Sequence, residues 1–150
     1  MTGWLLDTNV VSAISGAKPD PRVAQWIRGQ PEYSLFLSIL TLAEYRKGIA
    51  HLPPGSKIRP RIQQDVAALE ARFSGRVLPV SDIVALRWGT ISGEVKRLSG
   101  HSPSVIDTLL AATALEHNLY LATRNVAHVS MSGATIFNPW KDDPASFPLR

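Results

Sequence analysis

The chain has 150 residues, 45% of them hydrophobic, and no cysteine; this suits one globular domain, residues 1–150, and excludes a disulfide framework and thiolate-bound zinc. A formal charge of +4 and a pI near 9.8 favour an anionic partner without identifying one. No basic start leads into an apolar run, and the apolar stretch around Ser34–Leu42 is soon broken by Glu44, short of the ~20 residues of a membrane helix, so a cytoplasmic protein with neither export nor insertion is expected.

"GWLL" reads as a short buried strand and Thr8–Ile14 as a helix stopping near Gly16, ahead of Pro19 and Pro21. Asp20 caps a helix through Arg28. "SLFLS" (34–38) is a second strand, and "ILTLAEYRKGIA" (39–50) a helix with Leu42, Tyr45 and Ile49 on one face. After the breakers Pro53, Pro54 and Gly55, the residues Ile62, Val66, Leu69 and Phe73 predict an amphipathic helix ending at Gly75. "RVLPV" (76–80) is a weaker strand signal. Val84, Trp88, Ile91, Val95 and Leu98 stripe a long helix ending near Gly100, and Pro103 and Ser104 open an alanine-rich helix. "LYLAT" (119–123) and "ATIFN" (134–138) read as strands, and the tail from about residue 138 as irregular. Strands alternating with helices predict a three-layer α/β domain, its mostly parallel sheet covered on both faces.

In such a sheet ligands gather beyond the carboxyl ends of strands, where the strand order reverses. Asp7 ends the first strand, Glu44 comes early on the helix after the second, Asp107 opens the alanine-rich helix, and Thr123, Arg124 and Asn125 follow "LYLAT". These places can meet at one rim. Each acid also has a local reading: Asp7 as a helix cap, Glu44 as a surface partner of Lys47, and Asp107 reaching back to the N–H of Ser104 in a capping box. Three independent caps have no reason to share a rim, so joint placement favours a site. Three carboxylates together repel one another unless a divalent ion neutralises them, and all-oxygen ligands select Mg2+ or Mn2+.

The basic residues Arg46, Lys47, Lys57, Arg59, Arg61, Arg72 and Arg76 outnumber the acids Asp65 and Glu70 across residues 46–76, which suits either phosphate contact or a solvated helix face. His51, His101, His117 and His128 lack metal-ligand spacing, and His128, although it follows the Thr123–Asn125 loop, receives no role. A haloacid-dehalogenase-type phosphatase would also end its first strand in Asp, but the general acid two residues later is here Asn9. A non-catalytic binding module that keeps the fold and the basic stretch is the rival from another class.

The fragments "LLDTNVVSAI", "LSILTLAEYRKGI", "VIDTLLAATALEHNLYLATRN" and "IFNPW", in this order, resemble the PIN-domain ribonucleases, specifically the VapC- and FitB-type toxins. The resemblance implies a Mg2+- or Mn2+-dependent endoribonuclease that hydrolyses RNA with an activated water. It further implies a VapB/FitA-like antitoxin as partner, and a homodimer or a hetero-oligomer with that antitoxin. It matches Asp7, Glu44 and Asp107 to the family's acids and metal ligands, and puts Asn125 where many members carry a fourth Asp. Thr8 and Thr123 are hydroxyl partners for orienting a carboxylate, or local backbone caps. Arg46, Lys47 and Arg124 are the basic residues placed to hold flanking phosphates.

Overall fold

A computed structural model of the chain describes residues 1–16 and 18–150. Five strands, β1 (Gly3–Leu6), β2 (Leu35–Ser38), β3 (Val77–Leu78), β4 (Leu119–Ala122) and β5 (Ile136–Phe137), pair entirely in parallel in the order β3-β2-β1-β4-β5. Seven helices accompany them among the described residues: α1 (Thr8–Ile14), α2 (Pro21–Arg28), α3 (Ile39–His51), α4 (Arg59–Arg72), α5 (Asp82–Ser99), α6 (Val105–Glu116) and α7 (Val126–Val129). Parallel strands need crossovers, and the helices that provide them cover both faces.

The central strands are buried on both sides, and their alternation divides the core. Trp4 and Leu6 of β1 pack with Val10, Val11, Trp26, Leu69 and Phe73 from α1, α2, α4 and the end of α4, whereas Leu5 faces Leu110, Ala111 and Ala114 of α6. Small side chains let α6 lie close to the sheet, and Ala112 on its outer side receives Val84 and Ile91 of α5. Trp4 anchors the first layer: its ring meets Trp26 edge-on at 5.1 Å and Phe137 at 4.9 Å, and its indole N–H donates to Gln30 Oε1 at 3.0 Å. Gly3 is required where β1 passes β2, because a Cβ there would run into the Ser34 carbonyl.

Local chemistry sets the helix ends. Asp20 accepts from the N–H groups of Arg22 and Val23, Ser38 from Leu40, Ser81 from Val84 and Ser104 from Asp107. Gly100, with φ +79°, closes α5 in the left-handed conformation.

The outer strands are shorter than the sequence predicts. "RVLPV" keeps only Val77 and Leu78 in the ladder, since Pro79 has no N–H to donate. "ATIFN" keeps only Ile136 and Phe137, because Asn138 leaves the sheet in a turn in which its N–H donates to Asp142 Oδ2 and its Oδ1 accepts from Trp140 N. α7 lies just beyond the expected loop and, with four residues, carries no periodicity to read. The tail is irregular apart from a 3₁₀ turn at Pro144–Ser146, yet Phe147 packs on the Trp4 layer and Tyr120 Oη donates to the Pro148 carbonyl at 2.9 Å.

Candidate active site

The chain order reverses between β1 and β4, whose carboxyl ends lie side by side. Asp7 leaves β1 while its N–H still donates to the Ala122 carbonyl of β4, and Thr123 leaves β4 directly opposite. α6 runs back to β4 and therefore presents its first turn, with Asp107, at the same end of the sheet. α3 starts where β2 ends and brings Glu44 in from its second turn. The resulting open cavity, of about 770 Å³, has Asp7, Glu44, Asp107 and Asn125 among its lining residues. Three carboxylates from separate segments thus face one space.

Asp7 is 6% exposed, and it is both a helix cap and a site residue. Its Oδ1 accepts from the Thr8 N–H at 2.6 Å; its Oδ2 accepts from Thr123 Oγ1 at 2.7 Å and from Asn9 Nδ2 at 3.2 Å. Thr123 is also buried, and its hydroxyl oxygen accepts from the Asn9 side-chain amide and the Asn125 N–H at 3.2 and 3.1 Å. The Asn9 Oδ1 in turn accepts from Arg124 N at 3.2 Å. These bonds tie the turn after β1 to the turn after β4 and fix the direction of the Asp7 carboxylate.

Burial raises the Asp7 carboxyl above its ordinary value of 3.8, against the hydrogen bonds from Thr123, Thr8 and Asn9, and the negative charge of Asp107 adds to the rise. Glu44 is raised as well, first by burial and then by the charges of Asp7 and Asp107, with Thr8 and Lys47 opposing. The Thr8 hydroxyl meets Thr41 Oγ1 at 3.1 Å, and its single proton serves either that oxygen or the Glu44 carboxylate. Among the described residues, the ion pairs include none to Asp7 or Glu44. Nor do any three His, Cys, Asp or Glu side chains among the described residues already stand in an arrangement that would hold a metal ion. The donor set nevertheless fits a hard divalent ion: it is all oxygen, mutually repelling and open to solvent.

Asp107 departs from the capping-box reading. The Ser104 half is present, with Oγ accepting from Asp107 N at 3.4 Å, but the Asp107 carboxylate turns to His128 Nδ1 at 3.1 Å. That contact was invisible in the sequence because α7, which carries His128, has no sequence signature. Asn9 was likewise read only as a missing acid; its position two residues after Asp7, on the first turn of α1, was the available signal.

The basic residues separate. Lys47 lines the carboxylate cavity, and Arg124 lies on the adjoining rim with its guanidinium 4.9 Å from the Trp140 ring centroid. Arg46 is not brought to the site: it faces α4 and pairs with Glu70 at 3.2 Å. Arg59 caps the end of α3 through the Ile49 and Leu52 carbonyls, and Arg72 and Arg76 both bind Glu32, whose pKa they lower to about 2. Much of the basic stretch therefore holds the fold together and offers no phosphate track.

The chain is similar to known proteins over most of its length. The sequence profile of the PIN domain matches residues 4–132. The chain is 36% identical over 141 residues to toxin FitB of Neisseria gonorrhoeae, covering 92% of this chain and 99% of FitB. It is 35% identical over 140 residues to the VapC ribonuclease Y4jK of Sinorhizobium fredii, covering 91% and 97% of the two chains. The solved structure of FitAcB from Neisseria gonorrhoeae superposes with a TM-score of 0.81 at 33% identity, over 91% of this chain and 98% of the other.

Proposed function

The chain belongs to the PIN-domain family, and from that premise we propose that it is the ribonuclease toxin of a FitB/VapC-type toxin–antitoxin pair, acting with a divalent cation, Mg2+ or Mn2+. The observation that carries this reading is the convergence of Asp7, Glu44 and Asp107 on one cavity, where burial and mutual repulsion raise the pKa of Asp7 and Glu44. The three carboxylates would hold the cation, which when bound activates a water and offsets charge on the phosphoryl oxygens. Asp7 is held in one orientation by Thr123, Asn9 and the Thr8 N–H, and this preorganises an anionic oxygen for the ion. Glu44, less buried and with a raised pKa, is suited to orient the attacking water and receive its proton. Lys47 and Arg124 flank the acids and are placed to hold neighbouring phosphates, while the 3′ oxygen departs.

No helix of the described residues is long and apolar enough to cross a membrane, and action in the cytoplasm, where RNA and a VapB/FitA-like antitoxin are met, is part of the proposal. The direct test is cleavage of total RNA by the purified protein with Mg2+, with EDTA and with the Asp7→Asn variant as controls. Cleavage that persists in EDTA overturns the metal-dependent mechanism, and RNA that stays intact with Mg2+ overturns the ribonuclease reading. Expression of the protein alone should arrest growth, and co-expression of the small reading frame beside its gene should relieve the arrest. Equal growth in the two strains counts against a toxin.

Asn125 lines the cavity without a side-chain hydrogen bond to the acids, its backbone N–H being committed to Thr123. Asn125→Asp adds a fourth carboxylate at nearly constant shape. Mn2+ binding is expected to tighten by at most about tenfold, or ~1.4 kcal/mol, because repulsion from the other acids offsets part of the attraction. Calorimetric titration of both proteins measures this, and unchanged affinity would show that Asn125 only shapes the turn after β4.

A further inference from the structure

Gly48 stands inside α3, where glycine is the least favourable residue after proline. The fold does not ask for it. Its φ is not positive, and a Cβ added there would meet nothing within 4 Å. The helix turns a different face to α4: Arg46 pairs with Glu70 there, and Ile49 and Ala50 border a cleft with Val66 and Ala67. What Gly48 does border is the carboxylate cavity. Along this side of α3, Glu44, Lys47, Gly48 and His51 follow one another at helical spacing, all lining that cavity. Glu44 at one end suits a cation; the Lys47 ammonium and an imidazole N–H of His51 can each donate to a phosphate. From Glu44 to His51 the helix rises about 10.5 Å, enough to carry a backbone past the cleaved bond.

We propose that Gly48 is the floor of the track along which a single RNA strand crosses α3, its backbone passing over the bare glycine between Lys47 and His51. This deepens the ribonuclease reading and rests on it. Asp7 is buried and Glu44 half-buried, so the scissile phosphate must descend between α1 and α3 to reach them. A free strand makes that descent more readily than one locked into an A-form duplex. Any side chain at position 48 would rise into the path while leaving the acids, the caps and the core untouched.

The test is a graded series, Gly48→Ala, Gly48→Gln and Gly48→Leu, in the full-length protein. Three readouts are needed: melting temperature, Mn2+ affinity by calorimetry, and binding of a short fluorescein-labelled single-stranded RNA by anisotropy in Ca2+ buffer. Gly48→Ala should raise the melting temperature by about 2–4 °C, as expected for relief of an interior helix glycine. Gly48→Leu should stay at least as stable as wild type with unchanged Mn2+ affinity, yet lose at least about tenfold in RNA affinity, with Gly48→Gln in between. If the wild type cleaves RNA and Gly48→Leu binds it within about twofold of wild type, the track is wrong and the ribonuclease reading stands. If the wild type neither binds nor cleaves RNA, both fail.

Discussion

Asp7→Asn is expected to lower RNA cleavage by at least about 10³-fold while the metal-free protein melts at a higher temperature than wild type. Glu44→Gln should follow the same pattern with smaller stabilisation, since Glu44 is less deeply buried than Asp7, and Asp107→Asn should lose cleavage without that gain, because its carboxylate contacts His128. The two effects have one cause. Folding buries Asp7 and brings it near Glu44 and Asp107, and an amide of nearly the same shape removes charge from the cluster, relieving burial cost and repulsion and abolishing a ligand in one step. A residue acting only as a cap predicts the reverse, a loss of up to about 2 kcal/mol with activity kept. Purified Asp7→Asn with wild-type cleavage would refute the site.

The same cluster leaves a signature in the pH dependence of stability. Folding raises the pKa of Asp7 and Glu44, so between their ordinary values, 3.8 and 4.5, and their higher native ones the folded chain holds protons that the unfolded chain has released. Stability contributed by these groups is therefore complete below the ordinary values and is lost as pH rises through the native ones. Glu32 works in the opposite sense: bound to Arg72 and Arg76, it contributes stability above 4.5 that disappears as pH falls toward about 2. The difference between the wild-type and Asp7→Asn curves isolates the Asp7 part. Chemical denaturation in EDTA across this range should show the wild type gaining on the variant as pH falls, and parallel curves would mean that Asp7 carries no raised pKa.

The main elements were legible because their signals are local and repeated: apolar runs for β1, β2 and β4, helical spacing in α3 to α6, and Ser or Asp at the helix starts. The rim position of Asp7, Glu44 and Asp107 followed from one topological rule, which needs only the end of each strand. What escaped depends on side chains meeting across the chain. The pairing of Arg46 with Glu70 and of Arg72 and Arg76 with Glu32 gives much of the basic stretch a structural partner, and no periodicity encodes contacts between residues 24 to 44 positions apart. Asn9 and His128 escaped for the same reason. Each gains its meaning from an oxygen on another segment, Thr123 Oγ1 for Asn9 and Asp107 Oδ2 for His128.

Thr123→Val should reveal how much of the site depends on that cross-chain network. The substitution keeps the volume and branching of a side chain only 1% exposed, so packing hardly changes. It removes the strongest donor to Asp7 Oδ2 and leaves the Asn125 N–H and one Asn9 N–H without their acceptor. Stranding a buried polar group costs about 1–3 kcal/mol and these part-buried ones cost less, so the substitution destabilises the fold by at most that amount. The Asp7 carboxylate loses the hydroxyl that orients its Oδ2 and, already raised by burial, the hydrogen bond that most opposes the rise, so it is less well aimed at the cation and its pKa climbs further. Cleavage should fall by about 10²-fold at neutral pH, a loss near 2.7 kcal/mol, and the acid limb of the pH–rate profile should move to higher pH. Thr123→Ser keeps the hydroxyl and should restore both the profile and most of the rate. If Thr123→Val lowers the melting temperature but leaves the acid limb in place, the hydroxyl supports the turn after β4 and does not tune Asp7.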